Sequence, residues 1–99
     1  MLTRIVRMTF RLDEIAAFLA VFDASKDTIR AMPGCRKLHL LADLRDPAVF
    51  TTISVWDSEA DLNAYRNSPF FENVWAQTKA LFADKPLAFS MRTVREVDD

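Results

Sequence analysis

Alternating apolar and polar residues predict that the chain begins with a β-strand over residues 2–10. Val6, Met8 and Phe10 share one face of this segment, whereas mostly polar residues such as Arg7 hold the other. A period of two is the pattern of a strand with one buried face. We therefore expect a strand that packs on a core with one side only.

A helical period follows from Asp13 onward. Apolar residues recur at spacings of three and four and form one stripe: Ile15, Phe18, Leu19, Phe22 and Ile29. Asp13 or a near neighbour is the predicted N-cap, and Pro33-Gly34 is a strong stop signal. The sequence thus predicts one amphipathic helix after the first strand.

A β-hairpin is predicted in the middle of the chain. Residues 35–42 and 48–56 are its two strands, and Asp46-Pro47 marks the turn between them. The second strand is rich in β-branched residues and ends in Trp56. A large aromatic with one N–H donor is therefore expected at the end of a strand.

Two helices and a last strand complete the pattern. Ser58 followed by Asp61 forms a capping box, which begins a short helix that ends near Asn67. Ser68-Pro69 is the predicted start of a second helix, because proline is favoured at the first helical position. Residues 87–94 then alternate as a fourth strand.

This element order predicts an α+β, ferredoxin-like βαββαβ fold with a four-stranded antiparallel sheet and helices on one face. Residues 1–95 form the domain, and residues 96–99 are a polar tail. Alternate residues of each strand must point to the other face of the sheet. Neither the odd-numbered nor the even-numbered residues of the strands are all polar, so this face is partly apolar. Leu87, Phe89 and Met91 illustrate this on the fourth strand. A second copy of the chain is the simplest cover, so we expect a homodimer.

Composition narrows the class of protein. The 99 residues include 13 basic and 14 acidic side chains, well mixed, which does not favour a nucleic-acid partner. No run approaches the roughly 18 apolar residues of a membrane span. One cysteine and one histidine argue against a disulfide framework and a zinc site, so no metal and a cytoplasmic location are expected.

Four motifs carry a family resemblance. They are Pro33-Gly34-Cys35 after the first helix, Asp46-Pro47 in the hairpin, Trp56-Asp57-Ser58-Glu59 at the strand-to-helix junction, and residues 63–71. In order and spacing the chain resembles the antibiotic biosynthesis monooxygenase family of dimeric α/β barrels. The resemblance extends over essentially the whole chain and implies that fold.

The resemblance also implies chemistry. Members include cofactor-free enzymes that oxygenate anthrones or quinols, and relatives that degrade haem. The anthrone-oxidising members use an asparagine, a tryptophan four residues later and a tyrosine in the next helix; Thr52, Trp56 and Leu62 hold these positions. Haem-degrading members use a tryptophan and, ten residues later, an iron-ligating histidine; Tyr65 and Trp75 stand there. Without that imidazole, the sequence argues against haem degradation.

Three residues are predicted as catalytic. Cofactor-free oxygenation needs a pocket for a flat aromatic molecule, a means of deprotonating it and donors for the oxyanion. Trp56 supplies an N–H donor, His39 the only imidazole, and Lys79 a cation for an anionic substrate. Each has a structural alternative: Trp56 as a core residue, His39 on the surface or at the subunit interface, and Lys79 extended into solvent.

Four residues are predicted to bind the substrate: Thr52, Tyr65, Trp75 and Phe82. Trp75 and Phe82 share one helical stripe with Lys79, although such a stripe is most often core. A chain with one glycine has no Gly-rich nucleotide loop, so no cofactor is expected. The predicted function is a cofactor-independent monooxygenase acting on a small hydrophobic, aromatic or quinol-type compound. The alternative is a non-catalytic small-molecule-binding or structural dimer of the same fold.

Overall fold

The structure, a computed structural model, describes residues 1–98. Its elements are, in chain order, β1 Leu2–Thr9, a 3₁₀ turn Leu12–Glu14, α1 Ile15–Arg30, β2 Cys35–Ala42, β3 Val49–Trp56, α2 Glu59–Arg66, α3 Pro69–Lys79 and β4 Leu87–Arg92. The strands form one sheet in the order β2-β3-β1-β4, and every neighbouring pair is antiparallel. The predicted ferredoxin-like α+β fold is confirmed.

Asp13 or a near neighbour is the predicted N-cap of α1, and its neighbour Glu14 holds that position. Asp13 lies inside the 3₁₀ turn, where the Glu14 N–H donates to the Arg11 carbonyl at 2.9 Å. No side chain caps α1, because this tight turn already leads the backbone into the helix.

After the other end of α1, Gly34 adopts a φ of 82° and turns the chain into β2, a conformation that favours glycine.

The caps of the two later helices are confirmed. The Ser58 hydroxyl accepts the Asp61 N–H at 3.2 Å at the start of α2. The Ser68 hydroxyl accepts the Phe71 N–H at 3.1 Å at the start of α3, whose first residue is Pro69. Each cap satisfies a backbone donor that has no partner within its helix.

The main core lies between the sheet and α1. Met8 and Phe10 from β1 and its extension pack against Phe18, and all three are almost fully buried. The rings of Phe10 and Phe18 stack with centroids 4.0 Å apart. Burying each of these side chains contributes roughly 2–3 kcal/mol, so this contact fixes the position of α1 on the sheet.

The opposite sheet face has no helix over it in residues 1–98. Its central row crosses all four strands through His39, Ile53, Ile5 and Phe89, which are register partners. Phe89 is 37% exposed and its β4 neighbour Leu87 is 58% exposed. We call this surface the open face. Separately, no helix in the described chain is long and apolar enough to cross a membrane.

Candidate functional site

A cavity of about 220 Å³ lies between the sheet and the three helices. Aromatic rings from α1, α2 and α3 form much of its wall: Phe18, Phe22, Tyr65, Phe71 and Trp75. A cavity of roughly 150 Å³ holds a benzene molecule. The space therefore suits a planar ligand of one or two rings.

Strand β3 supplies two hydroxyl groups to the floor of the cavity. Thr52 and Ser54 alternate along the strand, so both face the helices. In register, Thr52 lies beside Val6 and Ser54 lies beside Arg4 of the central strand β1.

Two further hydroxyls at the cavity are already used by their own helices. The Ser25 hydroxyl donates to the Val21 carbonyl at 2.9 Å, and the Thr78 hydroxyl donates to the Val74 carbonyl at 2.8 Å. Because a hydroxyl has a single hydrogen, neither side chain has a donor left for a ligand. The available hydroxyl donors are therefore those on β3 and that of Tyr65.

Trp56 is fully buried beside the cavity and does not line it. Its indole N–H donates to the Ser54 Oγ at 2.9 Å, and its ring stacks on Tyr65 with centroids 5.2 Å apart. The indole N–H is thus directed at a protein atom. Because Ser54 accepts this bond, its own hydrogen remains available to a ligand, and Trp56 acts on the cavity through Ser54.

Tyr65 stays protonated over the physiological range. Burial, with a smaller effect of the nearby Cys35, raises the pKa of Tyr65 to about 12. Removing a phenol from water disfavours its charged form. Tyr65 can therefore donate a hydrogen bond at neutral pH but cannot serve as a base.

Arg4 brings a positive charge to the polar end of the cavity. It lies on β1 between Ser54 of β3 and Ser90 of β4, and its guanidinium donates to the Ser90 Oγ at 3.1 Å. Partial burial, and then the charge of Arg66, lower the pKa of Arg4 from its usual value. An arginine nonetheless remains charged in a protein, so this end of the cavity is cationic.

The fold brings together three of the four predicted substrate-binding residues. Thr52, Tyr65 and Trp75 line the cavity. Phe82 instead packs in the core, with its ring 5.4 Å from that of Phe10 and 5.6 Å from that of Trp75. It supports the wall of the cavity from behind.

The three residues predicted as catalytic are not brought together. Trp56 lies behind the floor of the cavity. His39 lies on the open face beside Ile53, on the far side of the sheet from the cavity. Lys79, the last residue of α3, is exposed and does not line the cavity.

Sequence reasoning missed the site roles of Arg4, Ser54 and Arg66, which all line the cavity. A signal for Arg4 was present, since it is the one charged residue on the alternate positions of β1 that include Val6 and Met8. Ser54 stands between Thr52 and Trp56 on the same face, and no local pattern distinguishes it. Arg66 lies near the C-terminal end of a helix, where a cation is favoured in any case, so its position did not indicate a cavity.

The cavity lining has no acidic residue, imidazole or amine in the part of the chain that the structure describes. Its charged members are Arg4 and Arg66, and both are cations. A bound molecule therefore meets aromatic walls, neutral hydroxyls and positive charge. Such a lining stabilises an anion but holds no general base.

We predict that Tyr65 makes stability fall at high pH. Tyrosine in the unfolded chain loses its proton near pH 10, whereas the pKa of Tyr65 in the fold is about 12. The stabilisation is complete below pH 10, and roughly 2–3 kcal/mol is lost between pH 10 and 12. The chain has one tyrosine, so tyrosinate absorbance reports this group alone, and Tyr65→Phe should remove this component. A folded protein that titrates near pH 10 would contradict the assignment.

We also predict an energetic coupling between Trp56 and Ser54. Either W56F or S54A leaves one buried partner of the 2.9 Å hydrogen bond unsatisfied, at a cost of about 1–3 kcal/mol in the free energy of unfolding. The double variant should cost about 1 kcal/mol less than the sum of the single variants. Urea denaturation at one fixed protein concentration measures this cycle. Strict additivity would show that the bond has no energetic role.

Comparison with solved structures shows the same fold in other proteins. A crystal structure of an antibiotic biosynthesis monooxygenase is 22% identical, covers 96% of this chain and 100% of that chain, and superposes with a TM-score of 0.89. Rv0793 from Mycobacterium tuberculosis is 26% identical, with 98% of each chain covered and a TM-score of 0.88. A protein from Deinococcus radiodurans is 14% identical, with 100% and 98% covered and a TM-score of 0.90.

A search of curated proteins found none that is similar to the chain. The family model described as antibiotic biosynthesis monooxygenase matches residues 1–77, which include β1 to β3, α2, most of α3 and nearly all the cavity lining. The fold, the match and the motifs around Trp56 agree. The chain belongs to the antibiotic biosynthesis monooxygenase family.

Proposed function

We propose that the protein is a cofactor-independent monooxygenase that acts on a small aromatic or quinol-type compound held in the cavity. One observation carries the proposal: aromatic walls surround a floor with two hydroxyl donors, Thr52 and Ser54, beside a cationic end. This arrangement matches a planar ring with an ionised hydroxyl group. Membership of a monooxygenase family supports the same reaction class.

The ring hydroxyl lies against the floor in the proposed complex. Its proton leaves to water, because no base lines the described cavity, and the resulting oxyanion accepts hydrogen bonds from Thr52 and Ser54. The positive potential of Arg4 and Arg66 favours the ionised substrate. The positive potential lowers the pKa of the ring hydroxyl, so the substrate ionises without a general base.

The ionised ring then reduces dioxygen directly. One electron passes to dioxygen, the two radicals combine to form a carbon-bound hydroperoxide, and its O–O bond breaks. One oxygen atom remains on the substrate as a carbonyl, and the other leaves as water with two hydrogens from the substrate. For a hydroquinone this chemistry consumes one dioxygen and yields a hydroxyquinone and one water, so atoms and electrons balance.

We predict that the hydroxyls of β3 control turnover. Thr52→Val keeps the shape of the side chain and removes its donor, so oxygen consumption with a responsive hydroquinone should fall on the order of a hundredfold. Thr51→Val is the matched control, because Thr51 is the same residue type on the other face of β3. An oxygen electrode with a panel of one- and two-ring hydroquinones measures the rate, which should rise with pH as the substrate ionises.

The same assay sets the outcomes that contradict the proposal. No oxygen consumption above the spontaneous rate with any member of the panel would reject the activity. Equal rates for T52V and T51V would reject the assigned floor while leaving the activity. Loss of turnover in a folded His39→Gln variant would return a catalytic role to His39, which the fold places on the open face.

Non-catalytic binding of a small molecule is the second candidate function. The absence of an acid or base from the described cavity lining favours it, since binding needs neither. A ligand that binds the folded protein but not the unfolded chain raises the melting temperature of a binder and of an enzyme alike. Ligands that raise the melting temperature without any oxygen consumption would therefore favour the binder.

The proposal includes a homodimer formed through the open face. The row of Ile53, Ile5 and Phe89 gives this face an apolar centre, and exposed apolar patches of this kind are rare on monomers. Two sheets packed face to face would bury both rows. Family resemblance to dimeric α/β barrels supports this arrangement.

We predict that Phe89→Glu yields a monomer, because burying an unpaired carboxylate at the centre of the interface is costly. Leu12→Glu is the control, since Leu12 is 68% exposed and lies before α1 on the helix side of the sheet. Analytical ultracentrifugation at micromolar concentration distinguishes the two species. A monomeric parent protein, or a dimeric F89E variant, would contradict the interface.

The proposal also places the protein in the cytoplasm. Cys35 is a buried free thiol, and burial raises its pKa. A buried thiol with little thiolate is unreactive and needs no oxidising compartment.

A further inference from the structure

Two arginines face the cavity without an acidic partner. Arg4 and Arg66 both line it, and within residues 1–98 neither has a carboxylate oxygen within the 4.0 Å of an ion pair. By contrast, Arg36 forms a salt bridge with Asp57 at the outer surface. The lining of this cavity thus holds two cations and no counter-charge within the described residues.

Two like charges at a partly buried site oppose folding. Arg4 is half-buried, and the charge of Arg66 is close enough to lower its pKa. A counter-charge would relieve this repulsion and offset the loss of hydration energy of the partly buried guanidinium group. No side chain of the described cavity lining supplies it, so a bound anion is the natural counter-charge.

Local structural roles use only part of the two guanidinium groups. Arg4 donates to the Ser90 Oγ, and Arg66 lies in the last turn of α2, where a cation complements the helix dipole. A guanidinium has five N–H donors in a planar fork that matches a carboxylate. Within residues 1–98, most of these donors have no protein partner and can bind a ligand.

We infer that the substrate of this cavity is a hydroxylated aromatic carboxylate, whose carboxylate binds between Arg4 and Arg66 while its ring lies against Phe71 and Trp75. The spacing fits such a molecule. Ser54 is beside Arg4, and Thr52 is two residues deeper, about 6.6 Å along the strand. One ring separates a carboxylate at the arginines from a ring hydroxyl at Thr52. This inference rests on the proposed function, which takes the cavity to be the active site.

Binding of two matched probes tests the inference without turnover. 2-Naphthoate carries the carboxylate, and 2-naphthamide has nearly the same shape without the charge. Isothermal titration calorimetry at low ionic strength should show naphthoate binding at least about tenfold more tightly, as expected for charge-assisted hydrogen bonds. Added salt should weaken naphthoate binding and leave naphthamide binding nearly unchanged.

Three variants assign the preference to the arginines. Arg4→Gln and Arg66→Gln should each reduce naphthoate affinity about tenfold and leave naphthamide affinity nearly unchanged. Arg45→Gln is the matched control, because Arg45 is exposed in the β2–β3 turn. If R4Q fails to fold, the test rests on R66Q, since Arg66 is exposed and its replacement leaves the core intact.

Several outcomes would overturn the inference. The parent protein would bind both probes with equal affinity, or bind neither at millimolar concentration. Alternatively, the preference for the carboxylate would survive in both R66Q and R4Q, or R45Q would lose as much naphthoate affinity as they do. Failure of the monooxygenase proposal has a different signature. In that case hydroxylated acids bind with the arginine-dependent preference and no oxygen is consumed.

Discussion

In residues 1–98, helices cover one face of the four-stranded sheet and leave the other open, and most features of the molecule depend on that constraint. Alternate residues of every strand point to opposite faces, so each strand divides its side chains between the helix layer and the open face. On β3 this division sends Thr52 and Ser54 to the cavity and Ile53 to the open face. The candidate chemistry and the proposed dimer interface are therefore two sides of the same strands.

Aromatic clusters that pack the helices on the sheet flank the cavity on both sides. Phe10 stacks on Phe18 near α1, and Trp56 stacks on Tyr65 near α2. Trp75 completes the wall from α3, in contact with the rings on either side of it. Rigid rings in closely packed clusters cannot relax into the space between them. A small domain thereby keeps a ligand-sized space that a well-packed core would fill, at some cost in stability.

The polar groups of the cavity are specialised for binding negative charge. Arg4 and Arg66 are cationic, Tyr65 is held neutral by burial, and Trp56 orients the hydroxyl of Ser54 as a donor. With a cationic cavity and no internal base in the described chain, ionisation of the substrate would be assisted by potential rather than by proton transfer to a side chain. In the proposed reaction, catalysis would therefore depend on the acidity of the substrate's own hydroxyl group.

Local sequence signals determined the elements of this protein. Cys35–Ala42 is a strand with its predicted bounds, and Ser58 and Ser68 cap the helices that they were predicted to begin. These features depend on backbone sterics and on hydrogen bonds within a few residues, so the sequence contains them directly. The start of α1 is also set locally, because a 3₁₀ turn leads into the helix there.

Only tertiary structure decided which strand residues reach the cavity. Both alternate sets of β-strand residues contain apolar side chains, so the sequence determined that His39 and Thr52 lie in strands but not which face each would occupy. Strand register then placed His39 opposite Ile53 on the open face and brought Arg4 beside Ser54 at the cavity. These pairings join residues distant in sequence, and their free energy comes from packing of the whole layer. No short-range pattern along the chain can encode them.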